Sequence, residues 1–152
     1  MGLEIERKFL LADDRWRGET VAAKRLRQAY LAQNGRMVTR VRTIDGTRAF
    51  LTLKSVEPGI SRAEYEYEIP VADAEELMEL RQGLVIEKTR HIVPAGDLAW
   101  EIDEFSGAHA GLVTAEIELP SEDAAFARPP WLGREVTGER AYTNAALAQV
   151  EG

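Results

Sequence analysis

Short segments throughout the chain place charged side chains two residues apart. Glu4 and Glu6 precede Lys8, Arg40 precedes Arg42, and Thr52 precedes Lys54. Arg62 leads Glu64, Glu66 and Glu68, while Lys88 precedes Arg90, Glu101 precedes Asp103 and Glu116 precedes Glu118. Arginine and lysine at such positions suit phosphate oxygens, arginine through paired N–H donors and lysine as a point charge. Glutamate and aspartate suit a hard divalent cation. The chain has no cysteine, which excludes thiolate sites and disulfides. Its two histidines, His91 and His109, have no partner at metal-ligand spacing. Any metal is therefore expected to be Mg²⁺ or Mn²⁺ held by carboxylates. Sign is sorted within segments, as Glu-x-Glu, Arg-x-Arg or Lys-x-Arg, whereas solvent faces more often mix signs. A triphosphate carrying its metal ion needs both a cationic wall and an acidic one.

A spacing of two is the spacing of one face of a β-strand, where alternate side chains stand about 6.7 Å apart. Strands are expected at Leu3–Leu10, Arg27–Gln33, Arg36–Ile44, Arg48–Ser55, Arg62–Pro70, Leu84–Val93, Leu98–Phe105 and Leu112–Leu119. Asn34-Gly35 and Asp45-Gly46 are hairpin turn signals, Pro94-Ala95-Gly96-Asp97 is a further turn, and Ser106–Gly111 is a Gly-rich loop. A helix is expected from a capping box at Asp73–Glu76 to Gln82, with Gly83 as its stop. Shorter helices are expected within Asp13–Lys24, after Ser121, and from Tyr142 to Val150. The fold class is thus mainly β with a few helices, one antiparallel sheet closed or nearly so.

Each strand has one charged and one mostly apolar face. Two arrangements satisfy that pattern. The apolar faces can form the core while charges meet water, which patterning alone favours. Otherwise the sheet closes with its charges inward and its apolar faces out under the helices. That requires a wet lumen of both signs, because isolated buried charges cost several kcal/mol each.

The bulk composition fits a single domain over residues 1–152. A net charge of −7 argues against a nucleic-acid surface but not against a small anion in a local basic pocket. No apolar run is long enough to span a membrane, and the charged N-terminus is not a secretory signal, so a cytoplasmic protein is expected.

The segment Glu4-Ile5-Glu6-Arg7-Lys8-Phe9 resembles the Glu-x-Glu-x-Lys signature of the CYTH family, the triphosphate tunnel metalloenzymes. Arg40–Arg42, Leu51–Lys54, Glu64–Pro70, Glu87–Arg90, Trp100–Phe105, Ala115–Leu119, Glu135–Thr137 and Tyr142–Asn144 resemble family motifs in the family's order. The resemblance implies an eight-stranded antiparallel barrel with a charged tunnel and helices outside. It implies metal-dependent hydrolysis of a short triphosphate, inorganic triphosphate first. Thiamine- or nucleoside-triphosphate hydrolysis, ATP cyclisation, and a non-enzymatic triphosphate sensor are the alternatives. It assigns Glu4, Glu6, Glu116 and Glu118 to the metal, and Arg40, Arg42, Lys54, Lys88 and Arg90 to the phosphates. Lys8 is expected to touch phosphate or take part in proton chemistry, with Tyr30 as a possible partner. Glu64, Glu66 and Asp103, with Glu68 and Glu101, are expected to balance the cations. Trp100, Trp131, Tyr65 and Tyr67 are expected in an outer core, and the apolar outer strands suggest a homodimer.

Overall fold

The computed structural model describes residues 2–56 and 60–148. Period-two segments become long antiparallel strands: β1 (Gly2–Leu11), β2 (Ala22–Gln33), β3 (Met37–Ile44), β4 (Arg48–Ser55) and β5 (Ser61–Ile69). After α1 (Val71–Met78) come β6 (Gln82–Ala95), β7 (Leu98–Ser106), β8 (Val113–Glu118), a short β9 (Leu132–Glu135) and α2 (Asn144–Leu147). Asp45 and Gly46 take φ of 52° and 68°, the left-handed pair of a type I′ turn, and join β3 to β4. Asp45 Oδ1 also accepts from the Arg25 N–H at 2.8 Å.

Closure comes from β1. Its N-terminal half pairs with β5 (Glu4 opposite Arg62) and its C-terminal half with β8 (Lys8 opposite Glu116). The ring therefore runs β1-β5-β4-β3-β2-β6-β7-β8 and back to β1, an eight-stranded closed barrel. β9 lies along the stretch of β1 that β5 has left, with Phe9 opposite Glu135.

The apolar faces point outward and are roofed. Ile5, Phe9, Val93, Trp100, Ile102, Ala115 and Ile117 form one outer core with Trp16 and Trp131. Its roof is a 3₁₀ turn, Arg15–Glu19, and the 120–131 strap carrying Phe126. The indoles of Trp16, Trp100 and Trp131 are all but fully buried, each removing roughly 150–250 Å² from water. A second outer core sets Ala74 and Met78 of α1 against Ala29, Val41 and Ala49.

Several expected boundaries move. α1 starts at Val71, with Pro70 at its N-cap and no side-chain cap, so the Asp73–Glu76 box is unused. Val71 packs, partly buried, beside the Ala29–Val41–Ala49 core, and Pro70, extended at φ −61° and ψ 143°, stands just before the first turn. β2 begins at Ala22 instead of Arg27, because the long β6 offers partners back to Ile92. The segment after Ser121 is not helical; Pro120, Pro129 and Pro130 bracket an extended strap. Tyr142 belongs to a 3₁₀ turn, and the expected last helix is confined to Asn144–Leu147, with residues 149 and 150 outside the described residues. Tyr65 and Tyr67 lie on the outer face of β5 but are 39% and 57% exposed, because no element among the described residues roofs that part of the strand. Among the described residues no helix is long and apolar enough to cross a membrane.

Candidate active site

Cross-strand register carries most of the expected charges inward; Glu68 instead pairs with the exposed Arg48 at 2.9 Å. Around the wall, Tyr30 stands opposite Arg40, Arg40 opposite Thr52, and Thr52 opposite Glu66. Lys54 stands opposite Glu64, Glu6 opposite Glu118, Lys8 opposite Glu116, Glu116 opposite Glu101, and Asp103 opposite Arg90. A residue and its directly opposed partner share a face, so these groups line one lumen.

Opposite signs meet across it. Lys54 Nζ lies 3.0 Å from Glu4 and 3.5 Å from Glu64. Lys8 Nζ lies 3.2 Å from Glu116 and donates to the Tyr142 carbonyl at 2.9 Å. Arg90 grips Asp103 with two bonds of 2.8 and 2.9 Å and reaches Glu101 at 3.3 Å. Arg42 reaches Glu66 at 3.4 Å. Lys88, fully buried, lies 2.7 Å from Asp103. The cations expected to bind phosphate are therefore layered. Lys8, Arg40 and Lys54 line an open cavity of about 330 Å³, while Lys88 sits behind Asp103. Tyr30 lines the same cavity, but Lys8 pairs with Glu116 and Tyr142 instead of with it.

The carboxylates divide in two. Burial opposes the charged forms of Glu116 and Asp103, yet Lys8, Arg90 and Lys88 outweigh it for Glu116, and Lys88 and Arg90 for Asp103. Both stay ionised, Glu116 well below the usual carboxylate range. Glu6 goes the other way, pushed well up by burial and by the charges of Glu116 and Glu4. Glu64 is pushed to about 7 by burial and then by its hydrogen bond with Glu4. Glu118, exposed at the rim, is raised by burial and by Glu4 and Glu101. This side of the lumen holds more negative charge than its own cations neutralise.

Among the described residues, no three His, Cys, Asp or Glu side chains already converge on one ion position. Mg²⁺ does not require that: it keeps several waters and takes one or two carboxylates together with substrate phosphates. Glu6 and Glu118, both raised by neighbouring carboxylates, are short of positive charge; with Glu4 and Glu116, which are ion-paired to Lys54 and Lys8, they offer oxygen donors that fit such an ion. On the opposite wall, the Nε–H groups of Arg40 and Arg42 are buried without a hydrogen-bond partner among the described residues.

The chain after β9 closes one side of the cavity with Val136–Glu139 and Tyr142–Asn144. Thr137 Oγ1 accepts from the Lys8 backbone N–H at 2.9 Å and donates to Glu135 at 2.7 Å. Asn144 Oδ1 accepts from Lys88 at 3.5 Å. Thr137 and Asn144 stand within segments that the sequence singled out, but their neutral side chains gave no sign of facing the lumen. His91 is on the outer face, against Trp16 and 3.1 Å from Glu104, and His109 meets the Leu147 carbonyl.

Residues 2–146 match the model of the CYTH domain. The chain is 45% identical over 150 residues to an inorganic triphosphatase of Acetivibrio thermocellus, covering 98% of this chain and 95% of that one. It is 44% identical over 149 residues to an inorganic triphosphatase of Nitrosomonas europaea, covering 95% and 96%. A crystal structure of an inorganic triphosphatase superposes with a TM-score of 0.71 at 40% identity, over 100% of this chain and 99% of the other.

Proposed function

The chain belongs to the CYTH domain family, and from that premise we propose that it hydrolyses inorganic triphosphate to pyrophosphate and orthophosphate with a divalent metal. One observation carries the reading. A single lumen sets carboxylates short of positive charge opposite guanidinium groups with unpartnered N–H donors. A metal-bound triphosphate answers both needs at once. The relatives that span nearly the whole chain are inorganic triphosphatases, which favours that substrate.

In this reading Glu4, Glu6, Glu116 and Glu118 hold the metal, Mg²⁺ or Mn²⁺, which supplies charge neutralisation at the phosphate oxygens. Arg40, Arg42 and Lys54 grip the phosphates, and Lys88 and Arg90 reinforce that wall from behind Asp103. Their contribution is position and fixed positive charge, which dominate phosphoryl transfer. Lys8 lies between the acidic group and the cavity, held by Glu116 and Tyr142 so that its ammonium meets the substrate. One carboxylate of the acidic group orients the attacking water. Glu64, Glu66 and Asp103 keep the cations in place. Tyr30 shapes the cavity and contacts substrate through its hydroxyl.

The test is the turnover of tripolyphosphate by Lys8→Ala, Arg42→Ala and Glu116→Ala. Each is expected to lose at least about a hundredfold in kcat/KM, since each removes a charge from a water-poor site. Circular dichroism should show the barrel retained. Near-wild-type turnover in all three overturns the site.

A further inference from the structure

Gln28 is a neutral polar residue on a largely charged wall, opposite Arg42. Its side chain is fully buried, and among the described residues both Nε2 and Oε1 lack a hydrogen-bond partner. Register places it opposite Arg42 on one side and Ile86 on the other. On its own strand it shares a face with Leu26 and with Tyr30, which lines the cavity. Gln28 is thus lumen-facing, one pair deeper than Tyr30. Beside it, the unpartnered Nε–H groups of Arg40 and Arg42 complete a patch of donors on two adjacent strands.

Packing does not explain this residue. A buried amide without partners is destabilising, and an apolar side chain of similar volume avoids that cost. Leu26 and Ile86 show that apolar side chains fit this part of the wall. Charge balance does not explain it either, because Gln28 is neutral. What it adds is a pair of N–H donors without another positive charge. That matters here: burial, then the neighbouring Arg40 and Arg90, already lower Arg42 to about 10.

We propose that Gln28 is a substrate contact, its amide N–H donating to a phosphate oxygen of inorganic triphosphate beside the Arg40–Arg42 wall. The assignment rests on the function proposed above. It makes Gln28 a determinant of affinity whose polar group costs the fold stability when no substrate is bound.

The experiment compares wild type, Gln28→Met and Gln28→Glu by steady-state kinetics on sodium tripolyphosphate with Mg²⁺, and by thermal melts without substrate. Gln28→Met should raise KM about tenfold, with kcat within about threefold, the signature of lost uniform binding. Its Tm should equal or exceed that of wild type. Gln28→Glu should raise KM further, because a carboxylate repels phosphate. A wild-type KM in Gln28→Met overturns the assignment alone. So does a Tm lowered by about 5 °C or more, which marks a structural hydrogen-bonding role. A wild-type protein that neither binds nor cleaves tripolyphosphate overturns the proposed function, and this assignment with it.

Discussion

Lys88 shows how the lumen holds charge away from water. Its ammonium is fully buried, with Asp103 at 2.7 Å, Asn144 Oδ1 at 3.5 Å and the Phe105 ring 5.4 Å away. Burial lowers it from the ordinary 10.5 to about 8, with Arg90 adding and Asp103 opposing. The native state therefore releases this proton at lower pH than the unfolded chain does. Such a group contributes stability in full above its unfolded pKa, and the contribution is lost as pH falls through the folded value. For Lys88 that window runs down from 10.5 through about 8. The Tm advantage of wild type over Lys88→Met should accordingly widen from about pH 7 to about pH 10. Calorimetry across that range checks it, and a gap that stays level or narrows contradicts the account. The charged residues of the site were legible because like signs alternate along the strands. Gln28, Thr137 and Asn144 were not, because neutral polar side chains leave no charge pattern.

The elements were legible where one local rule dominated. Asp45-Gly46 announced its turn because both positions require positive φ, and the charged strands announced themselves by period two. The start of β2 did not, since Ala22-Ala23-Lys24-Arg25 has no strand alternation; only pairing with β6 extends it. β9 was missed because Leu132-Gly133-Arg134-Glu135 is too short to show a period. Its place on β1 depends on Gly133, where an added Cβ would stand 2.8 Å from the Leu10 carbonyl oxygen. Nothing flexible can yield there, because the contact is backbone. Gly133→Ala should therefore push β9 off β1 at a cost of about 1–3 kcal/mol. A chain of this size then loses roughly 2–4 °C per kcal/mol, so a melt should fall by several degrees. An unchanged Tm would mean that β9 is not held as described. The same variant should weaken turnover, since β9 leads into Thr137, which braces Lys8.

On the scale of the whole molecule, the fold inverts the usual placement of polar and apolar groups. Two cores lie outside the barrel, under α1, the 3₁₀ turn and the strap, while the charges lie within beside a third core of Tyr30, Ile86 and Phe105 with Leu147 and Ala148. Alternation alone favours the opposite arrangement, with the charges in water, and a face pattern does not say which face a closed sheet turns inward. The family motifs decided for the charged lumen, and ring closure through β1 agrees with them. A chain of net charge −7 can then bind a polyanion, because its cations are gathered on one wall of an enclosed space. The central claim is metal-dependent cleavage of inorganic triphosphate in that space. The most direct test is phosphate release from inorganic triphosphate, thiamine triphosphate and ATP, side by side, with Mg²⁺, with Mn²⁺ and with excess chelator. The account predicts strong release from inorganic triphosphate with metal, weak release from the other two, and none in chelator. Full release in chelator, or no release from inorganic triphosphate under any condition, would contradict it.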